Sequence, residues 1–329
     1  MERNTDISKI LFPVELRPVN YTVASSETGV SAEGGEPASK DEEIKSINQY
    51  KAVVRGDTGT VFAVVSNRYE LLHNSRALDL GKKAFVHLFP ETSANDFIVY
   101  DIQLTKTGSA CHIDLIHNSY STDVWEQETW LPFLRVSNSY NRYRALSFDF
   151  GFVRKLCSNG IIFRKETIQA RFYHTKGRLE VDLKQDKSFQ KLKELESEFT
   201  THMKRLRGTT LIGQHILPLS IFLLELEFDL ATPNEKKLEQ EQARLGEVVK
   251  SLGDLIKKYV KELGENAYTA LNAATDLATH SPLVAGPFAT SAKLQQSIAK
   301  QSRSLTEQLG PNGKKRIEEL LAEQIALSN

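Results

Sequence analysis

Cysteine is scarce in this chain: Cys111 and Cys157 are the only two among 329 residues. That density excludes a disulfide-stapled secreted scaffold and points to a reducing compartment with free thiols. Long apolar runs are missing as well. The strongest candidate, Leu211 to Phe228, is broken by Gln214, His215, Pro218, Glu225 and Glu227. Its uninterrupted apolar part falls short of the roughly 20 residues a spanning helix needs, so it reads as a buried core segment. Met1 to Pro13 places acidic and polar residues where a secretory leader would have its apolar core. A cytoplasmic protein without membrane contact is therefore expected.

The usual markers of chemistry are absent too. There is no His-Glu-x-x-His, no paired Cys-x-x-Cys, no Walker-type loop and no dinucleotide glycine fingerprint. Zinc hydrolysis, NTP hydrolysis and nicotinamide chemistry lose their signatures. Asp57-Thr58-Gly59 is the tripeptide of aspartic proteases, but Arg55 and Gly56 precede it and no second copy exists to share a proton. It reads as a turn. Cys111, His112, Asp114 and His117 form the one compact set of potential metal ligands. On a strand, His112 and Asp114 face one side while Cys111 and His117 face the other, so the set cannot converge without a bend. No catalytic residue, cofactor or metal is expected.

Net charge of either sign is also lacking, since 42 basic residues stand against 42 acidic ones. A protein that coats nucleic acid uniformly does not look like this. The charge is instead partitioned. Residues 1–134 hold 12 basic and 19 acidic groups, residues 179–329 hold 20 and 21, and the stretch from Arg135 to Arg178 holds ten basic against only Asp149 and Glu166. Aromatic residues are threaded through that cationic stretch. Single strands are gripped by cationic grooves that follow phosphate and by aromatic faces on which bases stack. Arg135, Arg142, Arg144, Arg154, Lys155, Arg164, Lys165 and Arg171 are the candidate phosphate contacts, and Tyr140 and Tyr143 the candidate stacking faces. Phe148, Phe150 and Phe152 share one parity, as the buried face of a strand requires.

Patterning along the chain predicts an α+β fold, with a mostly antiparallel β-rich part followed by helices. Residues 1–49 form an N-terminal segment, in which residues 24–43 have the composition of a flexible acidic loop. A β-rich core domain with one or two helices is expected over 50–180. Tyr50–Arg55 and Thr60–Ser66 flank Gly56-Asp57-Thr58-Gly59, a hairpin; Phe97–Lys106 and Ser109–Asn118 form a second; Val153–Cys157 and Ile161–Lys165 a third, about Ser158-Asn159-Gly160. Arg68 to Phe89 approximates helical spacing, with Gly81 weakening its middle.

A helical region is expected over 181–329. Phe189, Leu192, Leu195, Phe199, Met203 and Leu206 recur at helical spacing before Gly208. Leu238, Leu245, Leu252 and Tyr259 lie seven apart within Glu235 to Leu263, which marks a helix-helix seam. Ala267–His280, Ser291–Leu309 and Lys314–Leu327 read as three further helices. Asn272 and His280 suit close helix packing, with a buried hydrogen bond rather than a ligand.

Several runs carry a family resemblance. Arg55 to Gly59 leading to Val64 to Tyr69, then Leu134-Arg135-Val136-Ser137-Asn138-Ser139-Tyr140, then Gly151 to Gly160, and later Tyr268 to Thr275 with His280, resemble the phage/plasmid-like family of unknown function. The similarity spans about residues 50 to 280, with Cys157-Ser158-Asn159-Gly160 its most specific part. It implies origin on, or exchange with, mobile genetic elements and carries no catalytic residues. By association it favours a non-catalytic nucleic-acid-binding protein, with single-stranded DNA and further copies of itself as partners, acting in recombination, protection or maintenance. The alternative is an oligomeric interaction or regulatory protein of such an element, whose basic stretch docks on the acidic first 134 residues of a neighbour.

Overall fold

β-branched and aromatic runs in the first half of the chain fold as two antiparallel sheets, and helical periodicity in the second half folds as helices, so the chain is α+β. The computed structural model describes residues 5–24, 42–89, 92–117, 119–155, 160–161, 170–172, 192–280 and 289–308. Among these, no helix is long and apolar enough to cross a membrane.

The smaller sheet contains β1 (Val14–Ala24), β2 (Glu42–Arg55) and β3 (Val61–Ser66), in that spatial order. β2 and β3 are the expected hairpin, and Gly59 supplies the positive φ of its turn. The expectation missed β1 and the first half of β2. Pro18 interrupts the alternating pattern there, and a proline is compatible with a strand only where the strand is an edge. The turn of the third expected hairpin lies outside the described residues, although Val153 does pair with Gly160. Residues 314–327 lie outside them too.

Helix α1 (Asn74–Leu88) follows and lies against the larger sheet. A Cβ at Gly81 would stand 2.3 Å from Val136 Cγ2, so the residue that weakens the helix in sequence is what lets helix and sheet approach. The preceding His73 supplies no side-chain cap. The Asn74 N–H instead donates to the Tyr140 hydroxyl at 2.9 Å, which satisfies one of the donors a helix start leaves open.

The larger sheet is built from β4 (Phe97–Leu104), β5 (Ala110–His117), β6 (Thr122–Trp125), β7 (Glu128–Ser139), β8 (Leu146–Arg154), β9 (Gly160–Ile161) and β10 (Ala170–Phe172). Its main path runs β10-β8-β7-β5-β4, with β6 on β7 and β9 on β8. Alternation sorts the side chains. Ile113, Leu115, Leu134, Val136, Phe148, Phe150 and Phe152 enter the main hydrophobic core, as the shared parity of the phenylalanines predicts. The opposite face carries His112, Asp114, Arg135, Ser137 and Asp149, all buried.

Helices α2 (Leu192–Gly208), α3 (Gly213–Leu224), α4 (Glu235–Leu263), α5 (Ala267–His280) and α6 (Ala289–Gln308) complete the described chain. α5 is buried continuously from Ala267 to Ala278, because its alanines and threonines let neighbouring helices close around it. Thr275 and Thr279 return their hydroxyls to carbonyls one turn back, so the polar atoms cost little there. The seven-residue stripe of α4 buries Leu252 and Tyr259, and α5 of the same chain packs against this helix. One hydrophobic cluster runs from Ile10 through the sheet to Leu305.

Candidate nucleic-acid interface

The cationic stretch separates into groups with opposite fates. Arg135, in the middle of β7, is only 2 % exposed. Its Nε and Nη2 donate to the two carboxylate oxygens of Asp114, each at 2.6 Å, and its Nη1 donates to Gln295 Oε1 of α6 at 2.9 Å. Strand register aligns Asp101, Asp114, Arg135 and Asp149 in one row across β4, β5, β7 and β8. Burial pushes the Asp114 carboxyl upward; Arg135 opposes this, and the neighbouring Asp101 and Asp149 reinforce it. A guanidinium stripped of water needs such partners, and this one has them inside the chain.

Arg154 ends β8 and is 1 % exposed. It clamps both oxygens of Glu128 and reaches Glu262 of α4. Glu128 also accepts from Trp130 Nε1 at 3.0 Å and from the Tyr268 hydroxyl of α5 at 2.6 Å. Burial and the Glu128 carboxylate hold the Tyr268 phenol well above its ordinary range. The cluster joins the sheet to two helices.

Tyr140 is equally withdrawn. Its ring stacks on Phe62 with centroids 5.7 Å apart, its hydroxyl caps α1, and burial pushes its phenol upward. Beside it, Asn138 donates to the Leu72 carbonyl and to Asn74 Oδ1, and the buried Cys111 thiol also reaches Asn74. The Asn138-Ser139-Tyr140 motif is thus a seam holding the small sheet, α1 and the large sheet together. Three expected contacts, Arg135, Arg154 and Tyr140, are therefore corrected to interior roles. The two arginines are neutralised by Asp114 and Glu128, and Tyr140 caps α1 at Asn74, all of them partners that only the fold brings near.

The loop between β7 and β8 has the reverse character. Tyr143 is 62 % exposed, Arg142 is exposed with φ +62°, and the Arg144 guanidinium lies 5.8 Å from the Tyr143 ring. The backbone beneath is fixed. Ser139 Oγ donates to the Arg144 carbonyl at 2.7 Å and accepts from its N–H at 2.9 Å, while Asn141 Nδ2 donates to Ser109 Oγ at 3.1 Å in the β4–β5 turn.

That turn carries exposed Lys106, and the turn after β3 carries exposed Arg68. Arg142 lies near enough to Tyr69 to oppose the burial that pushes its phenol up to about 12. Arg55 shares this end, stacked 3.9 Å over Phe12, but Asp57 takes its charge through two hydrogen bonds. Asp57 therefore serves the turn.

Lys155 is exposed, yet it follows the far end of β8, about 25–30 Å from the Arg142 loop at ~3.3 Å per residue. Arg171 pairs with Ser147 in β10, and its side chain is not described; Arg164 and Lys165 lie outside the described residues. The expected set does not form one trough. What it does form is a rigid cationic-aromatic tip made of Arg142, Tyr143 and Arg144, with Lys106 and Arg68 on adjacent turns.

Sequence reasoning missed Asp114, Glu128 and Glu262 as the partners of the buried arginines. A partial signal existed, since Asp149 sits between two core phenylalanines, but the pairing of Asp114 with Arg135 depends on strand register. β5 does divide the candidate metal ligands between its faces: His112 bonds Ser137 at 2.7 Å on one side and Cys111 reaches Asn74 on the other. Among the described residues, no group of three or more His, Cys, Asp or Glu is placed to hold a metal ion. No curated protein and no solved structure matches the chain. Residues 61–308, well over half of the chain, match the family described as "Domain of unknown function (DUF932)", and the chain belongs to that family.

Proposed function

We propose that this chain is a non-catalytic nucleic-acid-binding protein that takes single-stranded DNA on the loop between β7 and β8, in recombination, protection or maintenance of a phage, plasmid or related mobile element. The observation that supports the reading is a loop, braced by Ser139 and Asn141, on which exposed Arg142 and half-buried Arg144 flank the exposed Tyr143 ring, with the Arg144 guanidinium over that ring. Cations that follow phosphate beside a flat ring that accepts a base are the elements single-strand binding needs, and each stacked base contributes about 1–3 kcal/mol. Lys106 and Arg68 extend the positive end. The mobile-element setting comes from the motif resemblance. Docking of the basic stretch on a neighbour's acidic segment is deprived of two cations, because Arg135 and Arg154 already hold Asp114 and Glu128.

The test is anisotropy of a labelled single-stranded oligonucleotide over a salt series. The Arg142→Glu/Arg144→Glu variant is expected to bind at least tenfold more weakly, with a log–log salt slope shallower by about 1.4, at ~0.7 for each phosphate no longer neutralised. Tyr143→Ala is expected to weaken binding by about 1–3 kcal/mol while leaving the slope unchanged. Wild-type affinity in the folded double-charge variant would remove the loop from the interface.

A further inference from the structure

We infer that β1 is a pairing edge through which two copies of this chain associate, antiparallel, about a two-fold axis at Tyr21. Among the described residues β1 pairs only with β2, so its other side presents unpaired backbone donors and acceptors. Native edges are normally guarded by charge, proline or a covering element. Here Arg17 and Pro18 guard only the half of β1 nearest the core. Beyond them, Val19-Asn20-Tyr21-Thr22-Val23-Ala24 is six residues without charge or proline, rich in β-branched and aromatic side chains. Such a segment favours addition of another strand.

The neighbouring strand leaves the same region incomplete. β3 pairs with β2 only as far as Tyr50, so Glu42–Ser46 of β2 are paired with β1 alone. A two-stranded ribbon is marginal in water, and a third and fourth strand relieve this. Tyr21 is 48 % exposed on one face of that ribbon, and Ile44, opposite Thr22, is 69 % exposed on the other, so each face carries a solvated apolar side chain.

The identity of the partner follows from the symmetry of the segment. With Tyr21 opposite Tyr21, antiparallel register sets Asn20 against Thr22 of the other copy and brings Val23 to Val19, which lies at the bulge between Pro18 and Asn20. One face then matches apolar with apolar, and the other pairs an amide with a hydroxyl. A slip of one residue sets valine and tyrosine against asparagine and threonine, so the register is specified. Val19 to Ala24 contains no cation, which disfavours DNA as the occupant, and the chain's zero net charge leaves little long-range repulsion between copies. The association uses β1 and β2, which precede the residues that match the family. It does not depend on the nucleic-acid reading.

Sedimentation velocity of the full chain over a concentration series, without nucleic acid, tests the inference. The wild type is expected to dimerise reversibly. Tyr21→Lys, which sets like charges opposite each other at the axis, is expected to raise the dimer dissociation constant at least tenfold with an unchanged far-UV spectrum. Tyr21→Cys is expected to give a disulfide-linked dimer on mild oxidation, well above wild type, while Val64→Cys on exposed β3 stays at the wild-type level. A wild type that remains monomeric throughout, a Tyr21→Lys chain that dimerises like wild type, or Val64→Cys cross-linking as fast as Tyr21→Cys would each overturn it.

Discussion

At the scale of the residue, burial decides what each ionisable side chain is for. Arg135 and Arg142 are seven positions apart in one cationic stretch, yet one is sealed against Asp114 and the other stands in solvent. His202 shows the same principle in a form that pH reads out. It is buried on α2, its Nε2 lies 3.2 Å from Ser302 Oγ of α6, and burial, with Arg303 and Arg205 adding to it, lowers its pKa to about 3. The folded state therefore keeps this imidazole neutral, while the unfolded chain takes up a proton below about pH 6.5. The contribution to stability is complete above that pH and is lost progressively as pH falls toward 3. Between pH 7 and 5 the loss is about 2 kcal/mol. His202→Gln is expected to flatten the decline of unfolding free energy over that interval, measured by urea titration at several pH values.

At the scale of the element, the same residue type has opposite effects according to what its surroundings leave open. Gly81 lies mid-helix in α1 with Val136 where its Cβ would be, whereas Gly246 lies mid-helix in α4 with nothing within 4 Å of that position. Propensity alone ranks alanine above glycine by about 1 kcal/mol at both sites. Gly246→Ala is expected to stabilise the chain by about 0.4–1 kcal/mol. Gly81→Ala is expected to destabilise it by about 1–3 kcal/mol, because a side chain must be forced into an occupied space. Thermal unfolding of the two variants side by side checks both signs. The hairpins of β2–β3 and β4–β5 and the helices α2 and α4 were legible because their periodicity and turn residues are local. β1 was not, because Pro18 masks it, and an edge strand is recognised only by the neighbour it lacks.

At the scale of the whole molecule, Glu128 connects the two kinds of secondary structure. It joins β7 to Arg154 of β8 and Tyr268 of α5, while Arg154 carries the connection on to Glu262 of α4. Removing one partner of a buried charge pair costs about 3–5 kcal/mol, since the other is left uncompensated. Glu128→Ala is expected to lower stability by about that much and to lower hydrogen-exchange protection in β7 and α5 together. Loss confined to one of them would show that sheet and helices open independently. Of the proposed interface, the Arg142-Tyr143-Arg144 loop could be picked out from residue type alone. Its separation from Arg135, Arg154 and Tyr140 could not, because Asp114, Glu128 and Asn74 lie 21, 26 and 66 positions away from those residues.

The sequence by itself determined the α+β order, the hairpin turns, the helical stripes and the concentration of positive charge between Arg135 and Arg178, since all of these are set by neighbours within a few positions. Tertiary structure alone decided which of those charges meet carboxylates and which meet water. Strand register and helix docking bring together residues far apart in the chain, and desolvation then allows a guanidinium to remain inside only where an acid stands beside it.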